Sequence, residues 1–129
     1  MLSFVMCFFA LSFFALEPAY AEGGGEGGAA GYIKVDSFTV NLQGGDHYLQ
    51  VGMSLKGATP EIAASVVMRM PMVRHALILV LSSQDADDIR TSQGKIDLME
   101  EIKVAVNKVI DKKGHNGITD VLFENFVIQ

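Results

Sequence analysis

The sequence predicts a small α+β domain, in which an N-terminal β-hairpin and a C-terminal strand form one sheet packed with about three helices. Apolar residues alternate with period two from residue 32 to 56 and again at the end of the chain, while the stretch between has helical periodicity. These patterns occupy residues 32–129 of a chain of 129 residues. That length is typical of one autonomous domain.

The hairpin is predicted by two alternating segments. In the first, residues 33–35 and residues 38–42 alternate in opposite phase, so we expect a bulge at residues 36–37. Residues 44–46, Gly-Gly-Asp, favour a turn. The second segment has one apolar face, formed by His47, Leu49, Val51, Met53 and Leu55.

A helix is predicted to begin at Thr59 and Pro60, a capping hydroxyl followed by proline. Its apolar stripe comprises Ile62, Val66, Met70, Val73, Leu77 and Leu81. Pro71 interrupts this stripe and removes a backbone donor, so we expect a kink or break there and two helical segments. Residues 76–81 are apolar on every side, and we expect them to be covered on most sides.

Two further helical elements are predicted before the last strand. A polar stretch contains one short helical turn at about residues 85–89, and a longer helix runs from about residue 92 to 112. The core face of the longer helix is predicted to comprise Ile96, Met99, Ile102, Val106, Val109 and Ile110. Gly114 is the predicted C-terminal stop.

The final strand, residues 118–128, carries apolar residues on both faces. Simple alternation places Val121, Phe123 and Val127 on one face, and Ile118, Leu122, Phe126 and Ile128 on the other. A strand of this kind is normally central in its sheet or covered by a partner.

The residues ahead of this block predict a leader and a tether. Residues 2–16 are uncharged and apolar but too few to span a hydrocarbon core about 30 Å thick. Because Ala19 and Ala21 form a small-x-small pattern, residues 1–21 are interpreted as a cleaved signal peptide in preference to a short membrane anchor. Residues 22–31 are a glycine-rich linker. Their formal G-x-G-x-x-G match does not follow a strand, and nucleotide binding is not predicted.

Composition and motifs argue against nucleic acid, metal and catalysis. The net charge is −5 and the lysines and arginines are scattered along the sequence. The histidines have no metal-ligand spacing, and the acids at residues 85–88 do not continue into a calcium loop. No nucleophile elbow is present, and the single cysteine, Cys7, lies in the leader. We therefore predict no catalytic, cofactor-binding or metal-binding residues, and no enzyme activity.

Four apolar residues are candidates for an oligomer or partner surface. Met68 and Met72 are four residues apart and off the main helical stripe, so they can form a second apolar face. Phe123 and Val127 belong to the final strand with two apolar faces. The alternative is that all of these residues pack inside the monomer.

Four segments resemble the FliL family of flagellar basal-body-associated proteins. They are, in order, residues 38–42 followed by 48–51, residues 71–74 leading into 77–83, residues 91–95, and residues 120–129. Together the resemblance covers residues 32–129. Typical members also have a short basic tail and a full membrane-spanning helix, which residues 1–21 do not resemble; a start site placed too far downstream or an exported paralogue would explain this.

The resemblance implies a periplasmic, non-enzymatic domain at the inner membrane, with a stomatin/prohibitin-like fold. It implies partners among the flagellar stator and basal-body proteins, assembly into a homo-oligomeric ring, and a role in rotation and in swimming or swarming motility. No cofactor and no site residue is carried over. The alternative function is a periplasmic binding module on the same fold without a motor role.

Overall fold

The computed structural model describes residues 31–129; the leader and nearly all of the linker lie outside the described residues. The elements are β1 (Tyr32–Asn41), β2 (Tyr48–Gly57), α1 (Pro60–Met68), α2 (Met70–Ser82), α3 (Ala86–Arg90), α4 (Ser92–Val109) and β3 (Ile118–Ile128), with a 3-10 turn at Gly114–Asn116. The predicted α+β class is confirmed. Residues 31–129 contain four helices where about three were expected, because the short helical turn predicted at residues 85–89 forms a helix of its own.

The sheet is antiparallel with strand order β1-β2-β3, and the predicted bulge in β1 is confirmed. Val35 lies opposite Met53 and Phe38 opposite Val51, so two residues of β1 face Gly52 alone. A Cβ placed at Gly52 would lie 2.6 Å from the Ser37 Oγ, so a glycine is needed opposite this bulge. The extra residue turns Phe38 back toward the core.

Of the two expectations for the final strand, a central position is wrong: within residues 31–129, β3 pairs with β2 alone and forms an edge. Cover by a partner stays a prediction. Phe123 and Phe126 lie opposite the buried Met53 and Val51, and therefore point to the same face of the sheet. Two register shifts, one beside Gly52 and one beside Lys56, add residues to β3. The predicted assignment of β3 residues to faces is wrong because it assumed uninterrupted alternation.

The predicted break near Pro71 is confirmed, and it separates α1 from α2 at Arg69. Thr59 caps α1, since its Oγ1 accepts from the Ile62 N–H at 3.3 Å. Pro71 lies in the first turn of α2, where a missing N–H costs no helical hydrogen bond. Within the described part of the chain, no single helix is long and apolar enough to cross a membrane; α1 and α2 would meet the length and composition test only together, and they are bent by 82°.

Helix α4 ends earlier than predicted, and its core face differs from the prediction in the first two turns. Leu98 is fully buried, whereas Ile96 is 49% exposed, which corrects the expected core face. The helix ends at Val109, and Asp111 adopts the left-handed conformation with φ of 55°. The Asp111 N–H donates to the Lys108 carbonyl at 3.3 Å and the next N–H to the Asn107 carbonyl at 2.9 Å, a Schellman pattern. Gly114 is therefore not the stop.

One hydrophobic core lies between the helices and the covered face of the sheet. Its fully buried residues include Ile33, Leu49, Val51, Met53, Leu55, Val73, Leu77, Leu81, Leu98 and Ile102. The other face of the sheet carries alternating polar residues and receives no helix among the described elements. The helical layer and the open sheet face are therefore the two broad surfaces on which a site could lie.

Candidate functional site

The outward side of α2 is apolar and exposed to solvent. Met72 and Leu79 are each 58% exposed and Ile78 is 43% exposed, whereas Leu77 between them is fully buried. Met68, at the end of α1, is 81% exposed. We call the surface formed by Met68, Met72, His75, Ile78 and Leu79 the outer apolar face.

Among residues 31–129, the charged side chains nearest to the outer apolar face are held by contacts elsewhere in the fold. The only charged residues between positions 62 and 84 are Arg69 and Arg74. The Arg69 guanidinium donates to the Val109 carbonyl at 3.1 Å, which holds it against the end of α4. The Arg74 guanidinium donates to the Asp36 carbonyl at 3.1 Å and lies 4.8 Å from the centre of the Phe38 ring. Both arginines therefore connect elements of the fold.

Comparison with α4 shows why the exposed side of α2 is unusual. A surface helix normally presents polar residues to water. Two exposed positions of α4, Ile96 and Val104, are apolar, but they lie among charged residues that include Asp97, Glu100, Glu101 and Lys108. Single exposed apolar residues occur on most proteins, but an uncharged run of them on one helix face indicates a contact surface.

The structure does not bring the four candidate residues together. Met68 and Met72 lie on the outer apolar face. Phe123 is half-buried against the core, with its ring centre 5.0 Å from that of Phe126. Val127 is 39% exposed and pairs with Gln50, an exposed residue of the open sheet face. A partner contact at Phe123 or Val127 stays a prediction, and it would involve a surface different from that of the methionines.

Ile78 and Leu79 belong to the site although neither was singled out as a candidate. The signal was present, because residues 76–81 are apolar on every side of a helix. That pattern favours burial of the helix on most sides. Among the described residues, however, the rest of the domain buries only the side that carries Leu77 and Leu81.

The polar groups that resembled metal ligands have structural roles. Asp85 caps α3, where its Oδ1 accepts from the Asp87 N–H at 2.8 Å. Asp87 in turn pairs with Arg90 at 2.8 Å. Among residues 31–129, no group of three or more His, Cys, Asp or Glu side chains is placed to hold a metal ion. The outer apolar face can therefore support contact with another apolar surface; its one titratable group is the exposed His75, which has no carboxylate or nucleophile beside it on that face.

Comparison with known proteins gives one family. The family model described as flagellar basal body-associated protein FliL matches residues 32–129. The flagellar protein FliL of Escherichia coli K12 is 31% identical over 99 residues, which cover 76% of this chain and 64% of that protein. The flagellar protein FliL of Aquifex aeolicus VF5 is 30% identical over 94 residues, covering 71% of this chain and 56% of that protein. The chain thus spans less than two thirds of the length of these relatives.

Proposed function

Because this chain belongs to the flagellar basal body-associated FliL family, we propose that it is a non-enzymatic structural and interaction protein of the bacterial flagellar basal body. In this role it associates with the stator units and supports flagellar rotation in swimming or swarming. Residues 32–129 form its periplasmic domain, residues 22–31 its tether, and residues 1–21 its export signal or short anchor at the inner membrane. The domain is a variant of the stomatin/prohibitin-like fold.

The single observation that supports a contact function is the uncharged outer apolar face on α1 and α2. Methionine and leucine side chains are favourable at protein contacts, since burying them removes apolar surface from water. Met68 and Met72 are 81% and 58% exposed, so each would bury a large apolar area in such a contact. We assign this face to assembly of the domain with copies of itself into a ring, or with the stator.

The proposal is tested by placing charge on this face in the full chain. A Met68→Glu, Met72→Glu double variant should fold normally, because neither residue belongs to the buried core. It should fail to assemble in light scattering, and it should not restore swarming to a strain of the source bacterium that lacks the gene. Desolvating two carboxylates in an apolar contact would oppose assembly.

Ile96→Glu is the matched control, since Ile96 is also exposed and apolar but lies on α4 among charged neighbours. It should assemble and support motility. A normal oligomer and normal motility from the methionine double variant would exclude the outer apolar face as the contact surface. Normal motility in the deletion strain itself would instead reject the motor role and favour a binding module outside the motor.

A further inference from the structure

Three lysines that are spread over six positions of the sequence meet on one surface at the end of α4. Lys108, Lys112 and Lys113 are all exposed and line one groove of about 360 Å³. Asp111 is the only carboxylate that lines this groove, and Val104, 69% exposed, is its apolar part. In a chain of net charge −5, this is a local excess of positive charge.

The three lysines are not explained by the needs of the fold. Salt bridges among residues 31–129 involve none of them. Only Lys108 lies in the last turn of α4, where a cation interacts favourably with the helix dipole. The Val109 carbonyl at that end already accepts from Arg69. The groove therefore presents positive charge to solvent.

The lysine groove lies at the end of the domain where the chain enters from the linker. Gly31, the first described residue, lies against the end of β2, since a Cβ placed on it would be only 3.1 Å from the Gly57 carbonyl oxygen. The next residue, Ala58, donates its N–H to the Gly117 carbonyl at 2.9 Å. A Cβ at Gly117 would in turn lie 3.0 Å from the Cβ of Lys112.

The opposite end of the domain is acidic. Asp46 lies in the turn between β1 and β2, and that turn is joined to the loop before α3 by a hydrogen bond from the Gln43 N–H to the Gln84 carbonyl at 3.0 Å. Asp85 and Asp88 follow directly at the start of α3. The lysine groove therefore lies at the end of the sheet nearest the linker; that end also carries Asp120 opposite Lys56, and the acidic end also carries Arg90 paired with Asp87.

Resting on the anchor form of the proposed function, in which residues 1–21 stay in the inner membrane, we propose that the groove of Lys108, Lys112 and Lys113 binds the anionic phospholipid headgroups of that membrane. A linker of ten residues reaches at most about 35 Å when extended and about 16–19 Å as a flexible coil. This tether would hold the lysine groove close to the headgroups at high effective concentration. Each lysine near an anionic surface strengthens binding about fivefold.

The full chain, reconstituted into vesicles, provides the test through the rate at which an acetylating reagent labels each lysine. In vesicles of phosphatidylcholine mixed with phosphatidylglycerol, Lys108 should be labelled several-fold more slowly than in phosphatidylcholine alone. Lys34, exposed on β1, serves as the internal reference and should keep its rate. High salt should restore labelling of Lys108, because it screens exposed charges.

Variants around the same groove should change the labelling rate of Lys108 in opposite directions. Lys112→Gln with Lys113→Gln should weaken binding about twenty-five-fold and restore labelling. Asp111→Asn should slow the labelling further, since it removes the one carboxylate of the groove. Arg90→Gln with Lys95→Gln removes the same charge at the other end of the domain, retains Lys34 as the reference and should leave protection of Lys108 unchanged.

Three outcomes would overturn the proposal. The first is equal labelling of Lys108 in the two kinds of vesicle, and the second is protection that survives loss of Lys112 and Lys113. The third is protection without phosphatidylglycerol that disappears in a Glu22→Gln, Glu26→Gln variant, which would identify the linker's own carboxylates as the occupant. In the second case, loss of motility in the same lysine variant would point instead to an acidic protein partner.

Discussion

The side chain of Asn107 satisfies both backbone polar groups of Ile118. Its Oδ1 accepts from the Ile118 N–H at 2.6 Å, and its Nδ2 donates to the Ile118 carbonyl at 3.3 Å. Asn107 is the one buried polar side chain of residues 31–129 and joins α4 to the first residue of β3. A Cβ at Gly117 would lie 2.1 Å from the Asn107 Oδ1, so the residue before Ile118 must be a glycine.

Asn107→Ala should destabilise the domain by about 2–4 kcal/mol, because it leaves a buried N–H and a buried carbonyl without partners. Urea unfolding of the full chain would measure this loss. Asn107→Asp should also destabilise at neutral pH, since its second oxygen would face the Ile118 carbonyl, and part of the loss should be recovered at acidic pH. An alanine variant as stable as the parent would mean that water replaces the amide.

Gly94→Ala should destabilise the domain, although helix propensity alone predicts a gain of about 1 kcal/mol. Gly94 lies in the first turn of α4, and a Cβ there would lie 1.8 Å from the Asp88 carbonyl oxygen. Relieving that overlap requires a backbone shift that costs about 1–3 kcal/mol. The neighbouring exposed Gln93→Ala is the control in thermal unfolding and should be nearly neutral. A higher Tm for Gly94→Ala would show that α3 moves aside freely.

Asp111→Gly should stabilise the domain by about 0.5–1 kcal/mol. Asp111 holds the left-handed conformation that closes α4, and glycine adopts it without a Cβ penalty. The expected change is a rise of a few degrees in Tm. The reverse change at Gly114, which has the same φ of 55°, should lower Tm when the residue becomes alanine. A lower Tm for Asp111→Gly would indicate that the carboxylate itself stabilises this end of the helix.

Met70→Ala and Met68→Ala should differ in stability although the residues are two positions apart. Met70 packs against the core, and its truncation should cost about 1–2 kcal/mol, less than for a fully buried methionine. Met68 is 81% exposed, and its truncation should change the free energy of unfolding by less than about 0.5 kcal/mol. Comparable losses in the two variants under dilute, monomeric conditions would place Met68 inside the fold.

Features with a local cause were predictable from the residues. The change of phase at residues 36–37 predicted the bulge in β1, and Pro71 predicted the break between α1 and α2. The bulges in β3 were not predictable in this way, because both of its faces carry apolar residues and a slip leaves no visible change of phase. The end of α4 was also misplaced, since Asp111 takes a conformation for which Gly114 was the more obvious candidate.

The candidate surface depends on tertiary structure more than these features do. A contact surface at Met68 and Met72 stays a prediction: their four-residue spacing assumed one continuous helix, whereas the break at Arg69 places them on α1 and α2. The exposure of Ile78 and Leu79 likewise depends on where α2 meets the sheet and α4. The lysine groove could not be found by counting charges. Its three lysines converge because the chain turns sharply after Val109.

The amino-acid order alone determined the kinds of element, their sequence along the chain and the apolar side of most of them, because periodicity and capping act over a few residues. Only the tertiary structure decided that β2 is central, that Phe123 and Phe126 share the covered face, and that α2 keeps an uncharged side toward solvent. These features follow from contacts between residues far apart in the chain. Such contacts depend on the relative free energies of whole arrangements of the elements, which no local pattern encodes.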